Sequence, residues 1–233
     1  MNAVITGASK GLGRAFARAF GAGGYDLFLC ARTETDLEAS AADLRREFPR
    51  ISVDAGAFDL SKEAGAKGFG AWVLDKGRPV DVLVNNAGRF IPGRIMDEPE
   101  GTLEAMVDTN LYSAYHLTRA LLPSMINNRK GHIFNICSIA SLDAYPNGGA
   151  YSISKFALLG FSRNLREELK AHGIKVTAVC PGAVYTASWE GSGIDPLRIM
   201  RADDVARMVF AAASLSEQAT VEDIVMRPQL GDL

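Results

Sequence analysis

The sequence contains little that would place the protein in a membrane or on nucleic acid. No apolar run approaches the roughly 20 residues that a membrane-spanning helix requires. Its 25 lysines and arginines are offset by 27 aspartates and glutamates, which gives a formal net charge of −2, and no cluster of basic residues stands out. A nucleic-acid surface would need such a cluster. We therefore expect no membrane segment and no nucleic-acid partner.

Cysteine is also scarce, with Cys30, Cys137 and Cys180 all at or near the ends of apolar runs. An odd number of cysteines without ligand spacing argues against a disulfide framework and against a zinc site. We expect three reduced strand-end residues and no metal, the alternative being a redox-sensing Cys137 beside Ser138. The first residues lack the charged, apolar and cleavable parts of a secretory leader, so we expect a cytoplasmic protein.

What the sequence has is a regular alternation of β-rich runs and helical patterns over 233 residues, 48% of them hydrophobic. This alternation is typical of a parallel sheet covered by helices. We predict one α/β domain over residues 1–233, with a doubly wound, parallel seven-stranded sheet of Rossmann type and helices on both faces. The predicted strands are 3–6, 27–31, 52–58, 80–84, 132–136, 175–179 and 223–226, and the predicted helices are 13–21, 35–48, 64–76, 103–125, 152–172 and 202–215.

The widest irregular stretch spans residues 181–201 and contains Gly182, Gly191, Gly193 and Pro196. Loops of this length inside a compact domain are usually lids or binding segments. We predict a lid-like substrate segment over about 182–201, beside a ligand at the carboxyl edge of the sheet.

Three glycines, Gly7, Gly11 and Gly13, connect the first predicted strand to the first helix. Glycine lets the backbone approach a pyrophosphate, whose charge is stabilised by free N–H groups at the helix N-terminus. The spacing, Gly-x-x-x-Gly-x-Gly, also occurs in simple tight turns. Its position after the first strand and at the start of a helix favours a dinucleotide site.

The end of the second strand bears on cofactor choice. NAD sites usually place an acid there, whereas this strand ends at Ala31 and is followed by Arg32, with Lys10 in the glycine turn able to reach the same phosphate. We predict NADP(H) in preference to NAD(H), and leave open whether NADH is also used. Arg32 as a solvated residue paired with Glu34 is the alternative. Asp59, after the third strand, suits either an adenine contact or a helix N-cap.

The strongest functional pattern joins Ser138, Tyr151 and Lys155. Tyr and Lys at i and i+4 share one helix face. An ammonium about 4 Å from a phenolate is worth roughly 4 kcal/mol at an effective dielectric near 20, so Lys155 is expected to lower the pKa of Tyr151 from its usual value near 10. Tyr151 is then the predicted proton donor, and Ser138 the hydrogen-bond donor to the substrate oxygen. Singly, each would be an ordinary helix or turn residue.

Taken in order along the chain, these motifs resemble those of the short-chain dehydrogenase/reductase family, single-domain branch. The C-terminal part, with Trp189 and the Met226-Arg227-Pro228 run, is most similar to bacterial sepiapterin-reductase-like and carbonyl reductase proteins. Cys137 departs from the family pattern, in which a serine often precedes the catalytic serine. The motifs that carry the resemblance are the glycine turn, Asn85-Asn86-Ala87-Gly88, Asn110, Ser138, Tyr151 with Lys155, and Pro181-Gly182-Ala183-Val184-Tyr185-Thr186.

The resemblance implies roles for individual residues. Asn110 would hold a water that connects Lys155 to solvent, Lys155 would bind the nicotinamide ribose, and Thr186 would touch the carboxamide. The predicted catalytic residues are Asn110, Ser138, Tyr151 and Lys155, and the predicted substrate contacts are Ser138, Tyr145, Tyr151 and Trp189. The predicted cofactor contacts are Gly7, Ser9, Lys10, Gly11, Leu12, Gly13, Arg32, Thr33, Asp59, Leu60, Asn86, Ala87, Gly88, Asn110, Tyr151, Lys155, Pro181, Gly182, Val184 and Thr186.

We therefore predict an NADPH-dependent oxidoreductase that reduces a small-molecule carbonyl to an alcohol. The carbonyl is a ketone or diketone, and the side chain of a pterin is one candidate. One alternative is an alcohol dehydrogenase working oxidatively. Another is a non-catalytic dinucleotide-sensing regulator, which the presence of Ser138, Tyr151 and Lys155 disfavours.

An assembly of identical subunits is also predicted. The helical segment 152–172 carries Phe156, Leu158, Leu159 and Phe161, more apolar residues than one sheet-facing stripe needs. Burial against a second copy would explain the excess, and related reductases are commonly dimers or tetramers. We expect a homodimer or homotetramer.

Overall fold

The computed structural model describes residues 1–186, 189 and 193–233. Strands and helices alternate along this part of the chain. The strands are β1 Asn2–Thr6, β2 Asp26–Ala31, β3 Val53–Ala57, β4 Val82–Asn85, β5 Gly131–Ile136, β6 Ile174–Pro181, β7 Val184–Tyr185, β8 Met200–Arg201 and β9 Asp223–Met226. The helices are α1 Gly11–Ala22, α2 Glu34–Glu47, α3 Glu63–Leu74, α4 Thr102–Val107, α5 Ser113–Asn128, α6 Gly149–Leu169 and α7 Ala202–Ala213.

The central sheet has seven parallel strands in the order β3-β2-β1-β4-β5-β6-β9. The middle strands are continuous apolar runs because both of their faces are covered; all five residues of β1 are buried. From β1 the sheet grows in one direction through β2 and β3, and from β4 it grows in the opposite direction through β5, β6 and β9. In open parallel sheets, ligands bind outside the carboxyl ends of the strands at such a switch point.

Helices cover both faces of the sheet, as predicted. On one face, Phe16, Phe20 and Val209 belong to a core formed with α1, α2 and α7. On the other, Phe69 and Leu117 belong to a core formed with α3, α5 and α6. In the part of the chain that the structure describes, no helix combines the length and apolar character of a membrane span.

The seven strands of the central sheet were all predicted, with ends that differ by a few residues. The predicted helix 103–125 is instead two helices, α4 and α5, separated by a π-helical turn over Asp108–Tyr112. A π turn adds one residue to a helical turn, which a 3.6-residue apolar period does not reveal. The predicted irregular stretch 181–201 contains the short parallel pair β7 and β8. Residues 187, 188 and 190–192, including Gly191, lie outside the described residues.

The apolar residues of α6 are less exposed than the subunit prediction assumed. Leu158 and Leu159 are buried in the chain's own core, and Phe161 is half-buried. Phe156 is 44% exposed, and so is its neighbour on α6, Ile153. An apolar patch on α6 therefore exists, but it is smaller than the sequence suggested.

His132, in β5, is a buried titratable group of the core. Its Nε2 lies 2.7 Å from Thr177 Oγ1, whose hydroxyl donates to the Val221 carbonyl at 2.6 Å. Because the hydroxyl proton is used there, Nε2 must be the donor to Thr177. Nδ1 has no hydrogen-bond partner among the described residues. Burial, helped by the charge of Lys175, lowers the pKa of His132 to about 3.

Gly13 tests the packing of the glycine turn. A Cβ on Gly13 would lie 2.1 Å from the Gly7 carbonyl oxygen, whereas a Cβ on Gly160, within α6, would have no atom within 4 Å. We expect Gly13→Ala to lower the free energy of unfolding by about 1–3 kcal/mol through overpacking. Gly160→Ala should raise it by about 0.5–1 kcal/mol. Urea unfolding measures both, and similar effects of the two substitutions would contradict the packing described.

Because His132 is buried in its neutral form, we expect the protein to lose stability in acid. The unfolded chain binds a proton at His132 below pH 6.5, but the folded chain does not until about pH 3. Lowering the pH from 7 to 5 should therefore cost about 2 kcal/mol of unfolding free energy at this one residue. His132→Gln should remove that part of the pH dependence in urea unfolding at the two pH values. An unchanged difference between pH 7 and pH 5 in the variant would disprove the assignment.

Candidate active site

A cleft of about 580 Å³ opens at the carboxyl ends of the strands, where β1 and β4 meet. Most of the predicted cofactor residues line it. These are Gly7, Ser9, Lys10, Gly11, Leu12, Arg32, Thr33, Asp59, Leu60, Asn86, Ala87, Gly88 and Thr186. The cleft is also lined by residues that the sequence analysis did not select, namely Ala31, Asp36, Phe58, Ser61, Arg89 and Thr109.

The glycine turn gives the cleft an anion-binding floor. Gly7 and Gly11 have φ angles of 64° and 56°, in the left-handed region that glycine adopts without strain. The N-cap residue of α1, Lys10, makes no side-chain capping hydrogen bond. The N–H groups of its first turn are therefore available to an anion. Thr186 lies across the turn, 3.3 Å from where a Gly11 Cβ would be.

Asn86 braces the glycine turn rather than only lining the cleft. Its Nδ2 donates to the carbonyl oxygens of Thr6 (2.9 Å) and Gly7 (3.3 Å). In return, Thr6 Oγ1 accepts from the backbone N–H groups of Asn86 (2.9 Å) and Ala87 (2.8 Å). The sequence analysis missed this role of Thr6, although a threonine that ends a buried strand is a signal for it.

The adenosine end of the cleft carries charges of both signs. Arg32 and Lys10 are exposed there, as is Asp36 in the first turn of α2. Asp59 Oδ1 accepts from the N–H (3.1 Å) and hydroxyl (2.8 Å) of Ser61, and these bonds lower the pKa of Asp59, with a further contribution from the Arg32 charge. The N-cap of α3 is Lys62, so the helix-cap alternative for Asp59 is wrong.

Tyr151 and Lys155 lie one turn apart on α6. Lys155 is 5% exposed, and its Nζ donates to the Ile136 carbonyl at 2.8 Å and lies 5.8 Å from the centre of the Tyr151 ring. Burial lowers the pKa of Lys155. The Phe90 ring packs edge-on against Tyr151 with centroids 4.7 Å apart.

The pKa of Tyr151 shifts in the direction opposite to the sequence-based expectation. Burial raises it, and the neighbouring Ser138 side chain only partly opposes that effect. The Lys155 ammonium is directed to the Ile136 carbonyl and does not offset the desolvation of the phenol. Tyr151 is therefore held in its protonated form in the structure described.

Ser138 follows β5 and caps a 3-10 turn over Ile139–Ser141. Its Oγ accepts from the Ala140 N–H at 3.1 Å, and its own N–H donates to Ser141 Oγ at 3.1 Å. Ser152 Oγ donates to the Ala140 carbonyl at 2.8 Å, which ties this turn to the helix of Tyr151. Ser138 and Tyr151 are thus brought together by two turns that are connected directly.

Asn110 lies in the π-helical turn and is almost fully buried. Its Oδ1 accepts from the Arg89 N–H (2.7 Å), and its Nδ2 donates to the Arg89 carbonyl (3.0 Å) and to Ser154 Oγ (2.9 Å). Gly88 lies between Asn110 and Lys155, since its Cβ would be 3.3 Å from Asn110 Oδ1 and 3.7 Å from Lys155 Nζ. Asn110 thus orients the chain that follows β4.

The structure shows neighbours for two of the predicted substrate residues: Tyr145 lies near Tyr151, and the Trp189 N–H donates to the Thr186 carbonyl at 2.9 Å. Tyr145 is 40% exposed and Trp189 is half-buried. Burial raises the pKa of Tyr145, and the neighbouring Tyr151 adds to the shift. Val184 pairs with Met200 in the two-stranded sheet.

Pro181 and Gly182 meet the C-terminal segment instead of lining the cleft. Pro181 is the last residue of β6, and it pairs with Met226 in β9. A Cβ on Gly182 would lie 3.1 Å from Asp232 Oδ1 and 3.2 Å from Pro228 Cδ, so the C-terminal segment packs closely against this glycine.

All three cysteines are free and buried. Burial raises the pKa of the Cys30 thiol to about 12. Cys137 and Cys180 are neighbours at the ends of adjacent strands, an arrangement the sequence did not suggest. No group of three or more His, Cys, Asp or Glu side chains within the described residues could hold a metal ion.

The chain matches the family model described as short chain dehydrogenase over residues 1–195. It is 33% identical to the sepiapterin reductase of Chlorobaculum tepidum over 239 residues, which cover 99% of this chain and 97% of the relative.

Two solved dehydrogenase and reductase structures superpose closely on this chain. An alcohol dehydrogenase from Thermococcus sibiricus, complexed with 5-hydroxy-NADP, superposes with a TM-score of 0.90 at 30% identity, over 99% of this chain and 97% of the other. The L-sorbose reductase of Gluconobacter frateurii, complexed with NADPH and L-sorbose, superposes with a TM-score of 0.89 at 26% identity, over 96% and 93% of the two chains.

Proposed function

The chain belongs to the short-chain dehydrogenase/reductase family of NAD(P)-dependent oxidoreductases, and from that premise we propose that it reduces a small carbonyl compound with NADPH, with Tyr151 as the proton donor. One observation carries the proposal. The Tyr151 phenol lies one helical turn from the buried Lys155 ammonium, 5.8 Å from the centre of its ring, on a helix that Ser152 ties to the turn of Ser138. A phenol with a cation and a hydroxyl beside it can give its proton to a carbonyl oxygen and be stabilised as the phenolate.

The cleft fits a nicotinamide dinucleotide, which supplies the hydride when bound. The uncapped start of α1 and the glycine turn suit a pyrophosphate. We assign Arg32 and Lys10 to a 2′-phosphate, because no acid ends β2. Asp36 lies on the same side, so the preference rests on the two cations outweighing it. NADP and NADPH complexes among the structural neighbours support the assignment.

The residues of α6 and the turn after β5 then divide the proton chemistry. Ser138 Oγ donates to the carbonyl oxygen and stabilises the charge that develops there. Tyr151 Oη transfers its proton to the same oxygen. Lys155 stabilises the resulting phenolate by its charge and would bind the ribose of a nicotinamide cofactor. Asn110 orders the chain beside Lys155 and would hold a water that leads to solvent.

We propose that the substrate is a ketone or diketone with an apolar or aromatic body, a pterin side chain being one candidate. Phe90 packs against Tyr151 and Tyr145 neighbours it, so both provide apolar surface there. We assign Trp189 to the same substrate. The relative named sepiapterin reductase supports the pterin candidate. NADPH consumption measured against a panel of pterin diketones, α-diketones, quinones and acyl thioesters tests the substrate class.

Two further assignments accompany this function. We propose that the described part of the segment 182–201, which is residues 182–186, 189 and 193–201, borders the substrate, and that Trp189 contacts it. The exposed patch that includes Ile153 and Phe156 on α6 packs against a second copy in a homodimer or homotetramer. The patch would leave solvent in such an assembly.

Loss of the Tyr151 hydroxyl tests the proton donor. We expect Tyr151→Phe to lower turnover by a factor of about 10² or more, the usual scale of acid–base catalysis, while NADPH affinity stays nearly unchanged. Tyr115→Phe, on α5, is the matched control because the Tyr115 hydroxyl contacts Arg119 on the surface. Retention of a tenth of the turnover by Tyr151→Phe would identify a different proton donor.

Arg32 tests the choice of cofactor. Arg32→Ala should weaken NADPH binding by about 1.5–3 kcal/mol, the range for a hydrogen bond to a charged group, and should barely affect NADH. Arg46→Ala is the control, since Arg46 is exposed on α2 and pairs with Asp43. Fluorescence titration with both cofactors measures the effect, and equal weakening of NADPH and NADH binding would refute a 2′-phosphate contact.

A further inference from the structure

The helix that carries Tyr151 and Lys155 begins without a cap of its own. Its N-cap position is Gly148, and no local side chain satisfies the first N–H groups of α6. The first four N–H groups of any helix lack intrahelical partners. A helix whose second and third residues are Ala150 and Tyr151 would therefore be prone to fray at the turn that holds the phenol.

A distant residue supplies the missing cap. The Ala150 N–H donates to both carboxylate oxygens of Glu98, to Oε1 at 2.9 Å and to Oε2 at 3.2 Å. Glu98 lies 52 residues before Ala150 and is half-buried. A carboxylate at a helix N-terminus also interacts favourably with the helix dipole.

The backbone at the helix start is shaped to admit Glu98. A Cβ on Gly149 would lie 2.1 Å from Glu98 Oε1 and 2.5 Å from the Gly93 carbonyl oxygen, and Gly149 has a φ of 38°. Gly93 N–H also donates to the Asn147 carbonyl at 3.1 Å. The segment that contains Gly93 and Glu98 therefore packs so closely against the start of α6 that only glycine fits at position 149.

The segment that contains Glu98 is held at its other end by Asn110, which bonds both backbone groups of Arg89. Between the two attachments, Phe90 packs edge-on against the Tyr151 ring. Residues 89–98 thus connect Asn110 to the first turn of α6 and pass directly over the phenol.

We infer that Glu98 is a positioning residue for Tyr151: it caps α6 from a distance and so fixes the phenol relative to Ser138. This inference rests on the role proposed above for Tyr151. Glu98 itself does not exchange protons with the substrate. It acts through the Ala150 N–H, one residue before Tyr151.

Steady-state kinetics separate positioning from binding. The variants are Glu98→Ala, Glu98→Gln and the matched control Glu100→Gln, an exposed glutamate of the same segment. They are assayed with NADPH and the best carbonyl of the panel. We expect Glu98→Ala to lower kcat about 10-fold or more, since small misplacements of a reacting group have large effects, with KM and the NADPH Kd within about twofold. Glu98→Gln keeps an acceptor oxygen and should stay within about threefold of the wild type.

Hydrogen exchange provides a readout that does not depend on turnover. Amides of the peptide around residues 147–155 should exchange faster in Glu98→Ala than in the wild type, Glu98→Gln or Glu100→Gln, at a temperature at which all four are folded. If no carbonyl in the panel is reduced, the proposed function fails while this measurement still decides whether Glu98 caps α6.

Several results would overturn the inference. Unchanged exchange in Glu98→Ala would exclude capping. A raised KM with unchanged kcat would make Glu98 a substrate contact, and a lower Tm with unchanged kcat would leave it a purely structural residue. Equal losses of kcat in Glu98→Ala and Glu98→Gln would show that the acceptor oxygen is not what matters.

Discussion

The junction of β1 and β4 is the constraint on which the rest of the site depends. Two strands that lead to different halves of the sheet end side by side there, and Thr6 and Asn86 exchange hydrogen bonds across the gap. Because Asn86 also bonds the Gly7 carbonyl, the turn that follows β1 has one conformation. Gly13 then packs against the Gly7 carbonyl, which sets where α1 begins. The anion-binding helix end and the strand that leads to Gly88 are positioned by the same few bonds.

The second half of the site, Tyr151 and Lys155 on α6, must offset the free-energy cost of removing polar groups from water. Lys155 is buried and Tyr151 is half-buried; the loss of water disfavours the charged form of each and shifts their pKa values in opposite directions. A hydrogen bond to the Ile136 carbonyl compensates Lys155, and Ser138 compensates Tyr151. In this state the phenol keeps its proton.

Much of this arrangement could be predicted from residue spacing. The glycine turn after β1, the four-residue interval from Tyr151 to Lys155 and the apolar strands are local patterns. Local patterns constrain backbone conformation wherever they occur. The direction of the Tyr151 pKa shift could not be predicted, because it depends on how deeply the phenol is buried. The π-helical turn at Asn110 and the capping of α6 by Glu98 were also missed. The cap is a contact between segments far apart in sequence. The π turn is a local change of helical geometry that an apolar period of 3.6 residues does not reveal.

The sequence by itself determined the order of strands and helices, the position of the phosphate-binding turn and the identity of the groups able to move a proton. Each of these follows from periodicity or from spacing within one element. The tertiary structure alone decided which of those groups meet and in what protonation state they do so. Burial, cross-strand neighbours such as Cys137 and Cys180, and caps supplied from distant loops exist only after the sheet has formed. The physical reason is that desolvation and hydrogen bonding act between neighbours in space, which a linear pattern does not encode.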